Sequence, residues 1–150
     1  MKLDKSGIEL ITKWEGLKLK PYLCSANVPT IGYGSTYYEN GKKVSLADSK
    51  ISKERAVQLF ENTVSTYEKG VLKLLGTTKV NQNQFNALVS FAYNLGLKSL
   101  GNSTLLKVVK LNPNDKKISI EFGKWVNAGG KKLSGLVRRR NAESDLYFKI

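Results

Sequence analysis

The sequence predicts an α+β domain that is mostly α-helical. Three observations predict it. A short amphipathic helix opens the chain, and a run of short strands broken by Gly, Ser and Pro follows it. Everything after about residue 52 carries helical periodicity, and no repeat or linker interrupts the 150 residues. A helix, a small sheet and then only helices is an order in which helices and sheet segregate. A chain of this length supports one domain with a proper core, divisible into two lobes. The expected division is a small β-sheet lobe at about residues 12–51, a linking helix at about 52–75, and a larger helical lobe at about 77–150 that takes in the N-terminal helix.

Taken in order, Ser6-Gly7-Ile8-Glu9 has the spacing of a capping box, which places a helix from about Gly7 to Glu15 with Gly16 as its stop. At about 100° per residue, Ile8, Leu10, Ile11 and Trp14 share one face, and Glu15 lies on its Ile8 edge. Leu17 to Lys20 alternates, Pro21 interrupts, and Val28 to Gly34 and Thr36 to Tyr38 read as short strands. Asn40-Gly41 is a hairpin signal. Gly32 and Gly34 mark either a close approach of backbone to ligand or a bend. From Ser52, the residues Val57, Phe60, Val64, Tyr67, Val71 and Leu74 recur at helical steps as far as Gly76, long enough to join two lobes. Asn81 with Gln84 caps the next helix, which is apolar on most faces and closes at Asn94-Leu95-Gly96. Ser103 caps a helix from Thr104 to Leu111. Another runs from about Asp115 to Val126, a loop covers Ala128 to Lys131, and the last helix begins near Gly135.

The formal charge is +13, with one cysteine and no histidine. So basic a chain calls for anionic partners: nucleic acid, acidic lipid or acidic cell-wall polymer. The lysines are spread along the chain, and no zinc, RNA-recognition or basic-zipper signature is present, so no specific nucleic-acid partner is expected. Without an imidazole, Ser-His-Asp and Cys-His mechanisms are excluded. Soft metal-ligand clusters are unavailable, and no metal or cofactor is expected. One thiol allows no internal disulfide. There is no secretory apolar stretch and no span-length apolar run.

The chemistry concentrates between Trp14 and Thr36. Glu15 is followed by no other acid until Glu39, and the gap holds Cys24 and Thr30. A carboxyl on an apolar helix edge is partly desolvated, which favours its protonated form and suits a proton donor. Base rates favour an exposed helix-end glutamate, a cysteine that is a small buried hydrophobe, and a solvated basic face at Arg138, Arg139 and Arg140.

Glu15, Cys24 and Thr30 fit the pattern Glu, eight residues, Asp or Cys, five residues, Thr. Around them stand WEG, PTIGYGST, QFNALVSFAYNLG, NSTLLK and KWVNAGGKKLSGLVRRRNAE, over nearly the whole chain. In these segments the sequence resembles the phage-type lysozymes or endolysins, glycoside hydrolase family twenty-four. The resemblance implies a two-lobed lysozyme-like fold with the active site in a cleft. It also implies cleavage of the β-1,4 bond between N-acetylmuramic acid and N-acetylglucosamine of bacterial peptidoglycan. Glu15 would be the general acid, and Cys24, where well-known members carry Asp, would hold a water together with Thr30. Thr36, Tyr93, Asn94 and Ser103 or Thr104 would line the substrate site, and one arginine of the 138–140 run would reach the surroundings of Glu15. The lack of a secretory stretch and the single thiol lead to the expectation of a monomer that waits in the host cytoplasm until a holin-type membrane protein lets it out to the periplasm and cell wall, and the +13 charge to that of attraction to anionic envelope polymers.

Overall fold

The computed structural model describes residues 1–150. Two compact units emerge: a larger one of residues 1–11 and 67–150, and a smaller one of residues 12–66. No helix is long and apolar enough to cross a membrane.

The first helix, α1, runs Lys5–Glu15 and starts earlier than the sequence suggests. Its cap is Asp4, not Ser6: the Asp4 carboxylate accepts the Gly7 N–H at 3.2 Å, and its C=O accepts the first helical bond from Ile8 at 3.0 Å. Asn86 donates to the same carboxylate at 2.7 Å, a contact across 82 residues that local spacing does not reveal. Ile11 is buried and Ile8 is 40% exposed, so the Ile8 edge of the helix is its wetter side. The helix stops where Gly16 takes a left-handed φ of 70° and its N–H returns to the Thr12 carbonyl, the ending glycine is suited to.

In the smaller unit, β1 (Lys18–Leu23) and β2 (Pro29–Gly32) pair antiparallel, with Lys18 opposite Gly32 and Tyr22 opposite Thr30. Between these pairs three residues of β1, Leu19, Lys20 and Pro21, stand opposite the single Ile31 of β2, so the ladder bulges there, where Pro21 has no N–H to give it. Thr36 to Tyr38 is not a regular strand; isolated bridges join Ile31 to Ser35 and Tyr37 to Lys43. The Asn40-Gly41 hairpin has a three-residue loop rather than two: Gly41 N–H bonds the Tyr38 carbonyl, Tyr38 N–H bonds Lys42, and only Gly41 has positive φ. Gly32 takes a left-handed φ of 69° beside Ala56 of the following helix, so the backbone bend accounts for the glycine. Ile31, Val44 and Leu59 form this unit's core, covered by Tyr38 and Ile51.

Helix α2 (Lys53–Leu75) is capped by Ser52, whose hydroxyl accepts the Arg55 N–H at 3.1 Å. In the larger unit, α3 (Gln82–Leu95) has the expected capping box of Asn81 and Gln84 and is buried over most of its length. It packs against α7 (Ser134–Tyr147). Between them lie α4 (Leu97–Gly101), absent from the sequence reading, α5 (Thr104–Leu111) and α6 (Lys117–Gly123), which is shorter than expected at both ends. The expected loop at Ala128–Lys131 is a hairpin of β3 (Asn127–Ala128) and β4 (Lys131–Lys132), turned by Gly129 and Gly130, both at positive φ. Phe91 stacks edge-on against Phe122 and Trp125, and Phe122 against Tyr147.

Candidate active site

Glu15, Cys24 and Thr30 all fall in the smaller unit. Glu15 is the last residue of α1, half-buried, and its place is set by the Gly16 stop. Cys24 and Thr30 flank the β1–β2 hairpin. That hairpin turns over Ser25, Ala26 and Asn27, with Cys24 N–H bonded to the Val28 carbonyl and Asn27 N–H bonded to Cys24. Asn27 takes the left-handed position, φ 59°, the one such non-glycine residue in the chain; asparagine tolerates that conformation better than most.

This turn makes a cradle for the thiol. The N–H groups of Val28 and Ala26 and the Thr30 hydroxyl all favour the Cys24 thiolate and hold its pKa below the ordinary thiol value, against a smaller opposing effect of burial. An aspartate oxygen in the same turn would meet the same donors. Thr30 is buried, and its hydroxyl donates to the Val28 carbonyl at 2.8 Å. It has one proton and two claimants. A Thr30 hydroxyl turned to the sulfur favours the Cys24 thiolate at the expense of its bond to the Val28 carbonyl.

Alkylation of Cys24 by iodoacetamide is therefore expected to rise with pH through a midpoint below that of an ordinary free cysteine, about 8.5. In Thr30→Val the midpoint moves up, because one donor to the thiolate is gone. A midpoint at or above the ordinary value would show that the cradle does not act on the sulfur.

Tyr22 is the residue the sequence reading missed. It stands directly opposite Thr30 in the ladder. Burial, the Glu15 carboxylate and Cys24, in that order, raise its pKa. The phenol thus lies in the field of both groups and keeps its proton. Its spacing, two residues before Cys24, was visible; its pairing with Thr30 required the loop length.

The remaining candidates divide between the units. Thr36, half-buried, is in the smaller one. In the larger unit Tyr93 is half-buried with its ring 5.0 Å from that of Tyr67, and the Asn94 side-chain carbonyl accepts from Arg140 at 2.6 Å. Ser103 is buried, and its hydroxyl is taken up by the α5 cap, donating to Leu100 and accepting from Leu106. Thr104 beside it is exposed. The basic run is not a solvated face: Arg138 is exposed, but Arg139 and Arg140 are 4% and 1% exposed around a buried Glu143.

A mostly helical α+β chain of this kind has counterparts. Residues 12–143 match the phage lysozyme family, and the chain belongs to it. It is 43% identical over 150 residues to an endolysin of Bacillus phage B103, covering 99% of this chain and 54% of that protein. The chain thus spans about half the length of that relative. Against the endolysin of Acyrthosiphon pisum secondary endosymbiont phage 1 it is 37% identical, with 98% of each chain covered. Among solved structures, the endolysin from Escherichia coli O157:H7 phage FAHEc1 superimposes with a TM-score of 0.87 at 35% identity, covering 99% of this chain and 94% of that one.

Proposed function

We propose that this chain is a muramidase that hydrolyses the β-1,4 bond between N-acetylmuramic acid and N-acetylglucosamine in peptidoglycan and so lyses a bacterial host. The carrying observation is the hairpin cradle that sets Cys24 beside Thr30, with the Tyr22 phenol in the field of both Cys24 and Glu15. Glu15 protonates the leaving glycosidic oxygen. Cys24 and Thr30 hold and polarise a water on the opposite face of the sugar, the thiolate accepting its proton as the new C–O bond forms. Attack by water opposite the leaving group inverts the anomeric centre, and no covalent glycosyl intermediate is needed. Tyr22, kept neutral, offers a hydrogen-bond donor between the two groups. In the larger unit Asn94, anchored by Arg140 through its carbonyl, keeps its amide N–H groups for substrate, and Thr36 of the smaller unit and Tyr93 and Thr104 of the larger are further candidates for contact with the glycan.

The test is digestion of purified peptidoglycan with the products identified by mass. New reducing-end N-acetylmuramic acid, first released as the inverted anomer, is the expected result. Anhydro-muramic ends would mean a transglycosylase, and free peptides an amidase; either outcome would replace this reading.

A further inference from the structure

The outer face of α5 and α6, in the larger unit, has no part in the catalytic scheme. On α5, Leu105 and Val109 are buried, so Lys107 and Leu111, each two positions further on, lie on the opposite side. On α6, Ile118 and Phe122 are buried, and Ile120 between them points away. The flanking Lys116 and Lys124 keep right-handed helical angles, so Lys116, Ile120 and Lys124 form one row at four-residue steps. Each helix thus presents outward one large apolar side chain with lysines beside it. The two helices pack against each other across a tight turn, in which the Asp115 N–H bonds the Asn112 carbonyl at 3.1 Å.

Leu111 is 88% exposed and Ile120 64%, and apart from the last residue, Ile150, no large apolar side chain of the protein is more exposed than these two. Exposed leucines scattered singly call for no explanation. These two stand on neighbouring helices in the same lysine setting. Lys107, Lys110, Lys116 and Lys117 are all exposed. The acids between them are engaged: the Asp115 carboxylate accepts the Lys117 N–H at 2.9 Å, and Glu121 pairs with Lys124 at 2.7 Å. The lysines select an anionic partner. A hydrated polyanion, whether nucleic acid or wall polymer, offers no apolar phase to the leucine and isoleucine. A bilayer of acidic phospholipid meets both needs, with phosphates at the surface and the acyl boundary just beneath.

We propose that the α5–α6 face docks on the surface of an acidic phospholipid bilayer. Leu111 and Ile120 dip below the headgroups, and Lys107, Lys110, Lys116 and Lys117 lie on the phosphates. No helix is long and apolar enough to cross the membrane, so docking through this face is peripheral, and salt weakens it. The inference stands independently of the muramidase reading, because a bilayer contains no glycan.

The experiment is sedimentation of the full chain with vesicles of phosphatidylglycerol and phosphatidylcholine, beside vesicles of phosphatidylcholine alone. Wild type should sediment with the first and not with the second. So basic a chain is drawn to anionic vesicles by charge alone, and the variants separate that attraction from docking. Leu111→Gln/Ile120→Gln keeps every charge and should weaken binding to the anionic vesicles by about tenfold or more. Lys116→Glu/Lys117→Glu should weaken it at least as much. Two control pairs make the same changes in the smaller unit, Leu46→Gln/Val57→Gln and Lys50→Glu/Lys53→Glu. Each should bind within about threefold of wild type, since charges beyond a Debye length are screened and scattered apolar residues do not insert. Every substituted side chain is exposed, and a thermal melt checks each fold. The proposal is overturned if Leu111→Gln/Ile120→Gln binds as tightly as wild type, which would leave charge as the whole attraction. It is also overturned if either control pair loses as much as its counterpart on α5 and α6, or if wild type does not sediment with the anionic vesicles.

Discussion

Glu15→Gln is expected to abolish wall hydrolysis while the protein stays folded. Glutamine keeps the length and shape of the side chain at the end of α1, and the Gly16 stop that places it is untouched. What is lost is the proton that must reach the leaving oxygen as the glycosidic bond breaks. Positioned acid–base groups typically contribute about 10²–10⁴ in rate, and a sugar alkoxide is a poor leaving group without one. The fall should appear in kcat, with binding of an oligosaccharide little changed, because the amide still accepts and donates hydrogen bonds. The measurement is turnover of purified peptidoglycan beside a thermal melt. Activity within about tenfold of wild type would take the general-acid role from Glu15. The same fall accompanied by a collapsed melting curve would make it a structural residue.

Local signals were legible where a cap or a turn decides the matter within a few residues. Asn81 with Gln84, Ser52, Ser103 and the Gly16 stop all lie where the sequence puts them, because each satisfies helix-end groups using neighbours three or four positions away. Ser6 failed against Asp4 because the competition was settled by Asn86, far along the chain. The Asn40-Gly41 turn was found but its type was not, since loop length fixes which residue must go left-handed. In the candidate site, Glu15, Cys24 and Thr30 came from the resemblance to the family pattern and its flanking segments, while Tyr22 depended on strand register, which the Pro21 bulge conceals. The basic run of α7 was misread for the same reason. Glu143 stands three and four residues after Arg140 and Arg139, a visible pairing, but Ser90 and Asn94 complete the cluster from another helix.

That cluster carries the largest expected effect on stability. Glu143 is fully buried between two guanidiniums and also accepts from the Ser90 hydroxyl. Arg139 lies 3.3 Å from one carboxylate oxygen, and Arg140 lies 2.8 Å from the other. The Arg140 contact is off the hydrogen-bond line, so Arg140 Nε and Glu143 Oε1 gain charge attraction without a well-formed bond. The Arg140 guanidinium also stacks over the Phe91 ring at 5.1 Å. Burial pushes the Glu143 carboxyl up, while Arg140, Arg139 and Ser90 pull it back. Glu143→Gln would leave two buried cations with no anion between them. Breaking a buried pair in this way costs about 3–5 kcal/mol. For a chain of this size that is a drop in Tm of roughly 6–20 °C. The double variant Arg140→Met/Glu143→Leu should recover part of the loss, because it removes a charge of each sign and fills the space with apolar atoms. Recovery stays partial, since Arg139 keeps no carboxylate and Asn94 loses its donor. Both variants are measured by thermal and urea unfolding. A single variant that melts within about 2 °C of wild type would mean that water reaches the cluster. A double variant no better than the single would mean that the cost lies in packing rather than in the unpaired charges.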